Sequence, residues 1–272
     1  MTSRFCPFLE LIPSLEDSLA GANGVAFADF NGDGRGDILT GSESGGAVRL
    51  YNQLSSGGFA SPATLSVTAA VRVLRTGPLF DDPASTVDDA IDDLVVVNGS
   101  SGQVTAVCNG STGAAATSAV LPTVVMGARD AVVVRVNASA HAAAYISPLQ
   151  GNLYLAETIG PFAPRCTSLA FDPNTLAIGA VSPTAITGGR FLTRGTAVED
   201  IVVITTTGDA FLFANAPAQA GGFQLVAAPI ATGLTGALSA TAGDFNGDGR
   251  LDVVVGTATG AHFIENTDGT AT

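Results

Sequence analysis

Two nearly identical nine-residue strings, DFNGDGRGD at 29–37 and DFNGDGRLD at 244–252, lie near opposite ends of the chain. Each sets side-chain oxygens at positions 1, 3, 5 and 9: Asp29, Asn31, Asp33 and Asp37, then Asp244, Asn246, Asp248 and Asp252. Position 7, Arg35 or Arg250, offers its backbone carbonyl, and its guanidinium is expected to point to solvent. Hard oxygen donors at this spacing suit Ca2+; a transition metal would call for His or Cys. Gly34 and Gly249 stand where a loop folding around an ion needs a sharp turn with φ > 0. Three carboxylates around one point repel each other, so an empty loop is strained and a filled one is stabilised. A single copy would equally read as an Asx-rich β-turn. The repetition of all nine positions argues for the ion.

The loop is not an EF-hand, which closes on a Glu at position 12; Thr40 and Val255 stand there instead. The closing acid comes earlier, at Asp37 and Asp252, and an apolar, β-rich run follows it at once. The elements that position the oxygens are therefore a strand before and a strand after.

Around these loops one unit recurs at roughly 45 to 55 residues, the spacing of propeller blades. Each unit reads as four short strands broken by Gly, Asn, Ser or Pro. The units fall at about 24–69, 70–123, 124–174, 183–229 and 237–266, in a single domain over 1–272. In the third unit CTSLAF, 166–171, is the expected last strand. The last unit lacks a fourth strand. Residues 5–13 resemble the outer strands at 59–65 and 223–229 and are expected to complete it, closing the ring and leaving no bare edge. The fold class is thus all-β, a propeller of about five four-stranded blades. Six blades follow if 160–185 holds a degenerate unit, and a β-sandwich carrying calcium loops is the rival architecture. SLEDSLA at 14–20 is the one helix candidate.

With strand, loop and strand in place, the chain resembles the FG-GAP/VCBS repeat family, known from integrin alpha-subunit propellers. VAFADFNGDGRGDILTGS at 25–42 and ATAGDFNGDGRLDVVVGT at 240–257 carry the resemblance. It implies a β-propeller with Ca2+ in the loop between the first two strands of a blade. The implied ligands are Asp29, Asn31, Asp33, the Arg35 carbonyl and Asp37, and Asp244, Asn246, Asp248, the Arg250 carbonyl and Asp252. Integrin propellers have seven blades, and this chain is too short for seven, so an integrin-like partner does not follow.

The other units are eroded. In the second, acids at 81–93 form either a third, looser cation site or a solvated acidic loop. In the third, Arg135 to Ser139, and in the fourth, Arg190 to Asp200, oxygens are too few, and no metal is expected.

The chain has 272 residues, a net charge of −13 and 11 basic residues, none of them lysine. That argues against nucleic acid, whose phosphates need a basic footprint, and against an anionic membrane surface. No apolar run is long enough for a membrane-spanning helix. Cys6, Cys108 and Cys166 give either one bridge and a free thiol or, as expected here, three buried thiols. The N-terminus does not read as a signal peptide. Weak calcium sites fill outside cells, which implies a mature or excised segment of a secreted or surface protein. Sequons at Asn98, Asn109 and Asn137 are of a kind that short polar turns generate by chance. His141 and His262 belong to no defensible Ser-His-Asp order, and GxSxG, HExxH and a phosphate-cradling loop are lacking.

The expected function is a calcium-binding, non-catalytic extracellular propeller that presents loops to a protein or carbohydrate partner. The alternative is a polysaccharide lyase or hydrolase, or an accessory module of a larger secreted enzyme or adhesin. Its paired carboxylates would have to come from 81–93.

Overall fold

The computed structural model describes residues 21–44, 47–65, 67, 70–80, 91–110, 114–120, 127–137, 140–159, 170–177, 182–193, 198–216, 222–226 and 228–267. Among them there is no helix. The first sheet holds β1 (Ala22–Ala28), β2 (Asp37–Ser42), β3 (Val48–Tyr51) and β4 (Ala63–Leu65). The second holds β5 (Val71–Gly77), β6 (Asp93–Asn98), β7 (Val104–Gly110) and β8 (Ala114–Val120). The third holds β9 (Asp130–Asn137), β10 (Ala140–Ser147), β11 (Asn152–Ile159) and β12 (Ala170–Ala177). The fourth holds β13 (Pro183–Gly189), β14 (Asp200–Thr205), β15 (Ala210–Asn215) and β16 (Phe223–Leu225). The fifth holds β17 (Ala237–Gly243), β18 (Asp252–Thr257) and β19 (Gly260–Ile264).

Every sheet is antiparallel, and its strand order follows the chain. Short polar turns between apolar runs dictate such meanders, whereas a sandwich would interleave strands from distant segments. The first strands lie beside one another: β1 with β5, β5 with β9, β9 with β13, β13 with β17. The sheets therefore stack face to face around their first strands, a β-propeller-like arrangement. A register shift recurs near the start of β1, β5, β13 and β17. The repeat thus extends to local backbone irregularity.

The core lies between sheets, which explains why runs such as Leu94–Val97 and Ile201–Ile204 are buried on both faces. Phe30, Leu39 and Leu50 meet Leu74 and Leu94 between the first and second sheets. Val95 and Val97 meet Ala143 and Tyr145 between the second and third. Leu153 meets Ile201 and Phe213 between the third and fourth, and Leu212 meets Val253 and Val255 between the fourth and fifth. Burying each such side chain contributes about 1.5–3 kcal/mol. Among the described residues no buried cluster joins the fifth sheet to the first. Ala26 packs toward the second sheet, so its alternating neighbours Val25 and Phe27 face the other way and are exposed. Leu238 and Phe263 of the fifth sheet are exposed too.

Some sequence expectations change, and others fall outside the described residues. The last strand of the third sheet is Ala170–Ala177, further along than CTSLAF. Pro173 marked it poorly, but an outer edge strand tolerates a missing N–H. β12 pairs with β11 throughout, so residues 170–177 belong to the third sheet, 183–185 open β13 of the fourth, and the rest of 160–181 lies outside the described residues. Cys108 is fully buried and disulfide-bonded. Its partner cysteine lies outside the described residues, and the expectation of three thiols fails because spacing along a chain does not fix which cysteines meet. Residues 5–13 and 14–20 also lie outside the described residues.

Candidate metal centre

The two loops follow β1 and β17 and lead into β2 and β18, so they occupy equivalent places in the first and fifth sheets. Gly34 and Gly249 have φ of 80° and 83°, the left-handed turn that their position requires. Nothing crowds either α-carbon, so the demand for glycine comes from the backbone angle and not from space.

The loops share one hydrogen-bond scheme. In the first, Asp29 accepts the backbone N–H of Asp33 at 3.0 Å and of Gly34 at 2.7 Å. Asn31 Oδ1 also accepts the Asp33 N–H, and Asp33 Oδ1 accepts that of Arg35, each at 3.0 Å. In the second, Asp244 accepts from Gly247, Asp248 and Gly249 at 2.7, 3.1 and 2.9 Å. Asn246 accepts from Asp248 at 3.0 Å and Asp248 from Arg250 at 2.9 Å. The Arg250 N–H above all, with the Asn246 side-chain amide at 3.1 Å and the Arg250 charge, holds the Asp248 carboxyl below the usual carboxylate range against the opposing effect of desolvation.

The arginines at position 7 do not point to solvent. Arg35 pairs its guanidinium with Asp33 and donates Nε–H to the Gln53 carbonyl at 3.0 Å. Arg250 pairs with Asp248 and donates to the Asn266 carbonyl at 2.7 Å. Each arginine reaches back because two acceptors, a like-loop carboxylate and a strand-end carbonyl, flank its stem. Glu265, which the loop pattern could not reveal, receives the Asn246 Nδ2–H at 3.2 Å and adds a carboxylate to the second site.

Position 9 differs from the others. Asp37 is buried, and its carboxylate accepts N–H from Phe30 at 3.0 Å and Gln53 at 2.8 Å. Asp252 accepts from Phe245 at 3.3 Å and Asn266 at 2.9 Å. The same pair of bonds recurs where no loop motif exists. Asp93 accepts from Phe80 and Asn109 at 2.7 and 2.9 Å, and Asp200 from Leu192 and Asn215 at 3.0 and 2.9 Å. This aspartate therefore ties the loop to the third strand of its own sheet irrespective of any ion. Burial pushes the Asp37 carboxyl up; the Gln53 and Phe30 N–H bonds oppose that, and the charges of Asp33 and Asp29 add to it.

The donor chemistry of each loop is oxygen alone and fits a hard divalent cation. As the side chains stand, no three carboxylate, imidazole or thiol groups converge on one point among the described residues. The loop carboxylates are turned onto loop amides and onto the position-7 arginine. In the second unit Asp93 is committed to backbone amides, and the acids at 81–90 lie outside the described residues.

Two family models match the sequence. The FG-GAP repeat matches residues 21–53 and the FG-GAP-like repeat residues 197–255, each match containing one of the loops whole. The chain thus carries FG-GAP-type repeats over these two segments. Such repeats are generally non-catalytic modules and are typical of extracellular proteins. Among solved structures, the crystal structure of BBS1N in complex with ARL6DN, soaked with mercury, is similar at a TM-score of 0.48 and 11% identity. That match covers 90% of this chain and 80% of that chain. No curated protein matches the sequence. Among the described residues no helix is long and apolar enough to cross a membrane.

Proposed function

We propose that this chain is a calcium-stabilised, non-catalytic propeller of the extracellular space that presents loops to a protein or carbohydrate partner. The observation that carries the reading is the pair of oxygen-only loops, alike in sequence and hydrogen bonding, at the same place in the first and fifth sheets. Asp29, Asn31, Asp33 and the Arg35 carbonyl would hold one ion, and Asp244, Asn246, Asp248 and the Arg250 carbonyl the other. Asp37 and Asp252 join with lone pairs left over from their N–H bonds. The ion neutralises clustered carboxylates and pins the turn between two strands. On this reading it takes Asp33 and Asp248 away from their arginines. The buried disulfide at Cys108 supports an oxidising compartment.

The reading includes a closed ring of five blades in one domain. Phe30, Phe80 and Phe191 are buried against the sheet that follows each of them, whereas Phe245, the same position in the fifth sheet, is 52% exposed. Closing the ring sets Phe245 and Phe263 against Val25 and Phe27 and makes the two calcium loops neighbours. Residues 5–13 then add the fourth strand beside β19. A groove of about 320 Å³ there, lined by Leu212, Val226, Ile230, Val253 and Ile264, supports this placement.

Calorimetric titration with Ca2+ tests the metal assignment. Two sites are expected, with Asp33→Asn and Asp248→Asn each abolishing one. Absence of binding heat, together with melting curves that coincide in calcium and in chelator, overturns it. A glycan array run beside polysaccharide turnover assays separates binding from catalysis.

A further inference from the structure

At the end of the first strands away from the metal loops, β1, β5, β17 and the residues entering β9 enclose a cavity of about 490 Å³. It is lined by Arg72, Arg75, Arg129 and Asp130, with Asn23 and Leu238 on the remaining walls. For a chain of net charge −13 with 11 basic residues, three arginines from two sheets around one cavity is a concentrated positive feature.

The groups divide by role. Asp130 is buried, and its Oδ1 accepts from Arg75 Nη2 at 2.7 Å and from its neighbour's N–H at 2.9 Å. Its Oδ2 faces the Ile186 N–H at 3.5 Å. Arg75 donates further to the carbonyls of Ala131 and Leu74, each at 3.0 Å. Arg75 and Asp130 are thus a mutual strut between the first strands of the second, third and fourth sheets. Arg72 reaches the Gly99 carbonyl at 3.1 Å and Glu43 at 3.5 Å. The Arg129 guanidinium makes no hydrogen bond among the described residues, although it lies close enough to favour the charge on Asp130. Three arginines against the carboxylates of Asp130 and Glu43 leave one positive charge, and the donors still available belong chiefly to Arg129.

We propose that this axial cavity binds a small organic anion, its carboxylate or phosphate held by Arg129 and Arg72 and its body resting on Leu238. A guanidinium fork matches the two oxygens of either head group, and the cavity falls within the size range of small-ligand sites. The strut between Arg75 and Asp130 keeps a guanidinium and a fixed carboxylate at the wall, so the ligand meets a preset electrostatic field. The site is independent of the calcium loops, which lie about 20 Å away at the other end of seven-residue strands.

The test is calorimetry on the full chain at low salt with benzoate and phenyl phosphate, and with benzyl alcohol as the uncharged control. At least one anion is expected to bind and the alcohol not to. The arm that responds tells carboxylate from phosphate. Arg129→Gln is expected to weaken binding by about tenfold or more, while Arg190→Gln on the fourth sheet leaves it unchanged. Circular dichroism melts confirm that both variants fold. Neither anion binding to the unaltered protein, or Arg129→Gln binding as well as the parent, overturns the proposal whether or not the calcium reading stands.

Discussion

The side-chain amide of Asn215 donates to the carbonyl of Val136 at 2.8 Å, across the boundary between the fourth and third sheets. The backbone N–H of the same residue donates to Asp200 at 2.9 Å within its own sheet. Asn109 repeats the device with Phe30 and Asp93, and Asn266 with Phe191 and Asp252. One aspartate therefore orients one asparagine, and that asparagine latches the second, fourth and fifth sheets each to the one before it.

Asn215→Ala leaves the Val136 carbonyl buried without this donor. The expected cost is about 1–3 kcal/mol, read as a lower urea midpoint at unchanged slope. Asn266→Ala, at a half-buried position, is expected to cost less. Equal and negligible effects at both positions would remove the latch as a stabilising element.

On the calcium reading, the arginine at position 7 competes with the cation for Asp33. The pair is partly exposed, so it is worth roughly 0.2–1 kcal/mol. Arg35→Gln is accordingly expected to tighten calcium at the first loop by up to about fivefold and to leave the second loop untouched. Calorimetry resolves the two sites when Asp248→Asn silences the second. Weaker calcium binding in Arg35→Gln would mean that the guanidinium supports the filled loop.

How much of this could be read from residue order divides along physical lines. The loops were legible because metal-type ligands, turn glycines and flanking β-branched runs are all local signals, and DFNGDGR occurs twice. The four-strand rhythm was legible from turn residues and apolar runs for the same reason. The latch was not: Asp93 and Asn109, or Asp200 and Asn215, look like ordinary strand-end polar residues until the sheets stack. The turned-back arginines were missed because their acceptors, Gln53 and Asn266, lie two residues past the end of a third strand, 16–18 residues later. β12 was displaced in the sequence reading because Pro173 reads as a break, and only its place at a sheet edge permits it.

Glu199 gives a pH dependence of known sign. Burial raises its carboxyl above the ordinary 4.5; the Arg135 N–H bond at 2.8 Å and the charges of Arg135 and Arg190 oppose this, and Asp200 reinforces it. A folded value above the unfolded one means that its contribution to stability is full below 4.5 and is lost as pH rises through the folded value. Glu199→Gln keeps an acceptor for Arg135 but cannot ionise. It is expected to match or trail the parent near pH 4 and to gain on it toward pH 7, by urea denaturation at both. A difference that stays constant with pH would show that Glu199 titrates alike in the folded and unfolded chain.

Phe245 decides whether the ring closes. In the open arrangement its ring stacks edge-on against Phe263 at 6.5 Å between centroids and otherwise faces water. Removing an exposed side chain of that kind changes stability by no more than about 0.5 kcal/mol. In a closed ring Phe245 is a core residue like Phe30, and Phe245→Ala costs about 3–5 kcal/mol. The large value is expected, with Phe30→Ala as the internal standard for a seam known to be packed. Deleting residues 1–20 is expected to reproduce part of that loss and to raise dye binding by exposed apolar surface, since β19 would then present a bare edge. A Phe245→Ala variant as stable as the parent would mean that the fifth and first sheets do not meet, and the two acidic loops would then lie apart rather than as neighbours on one rim.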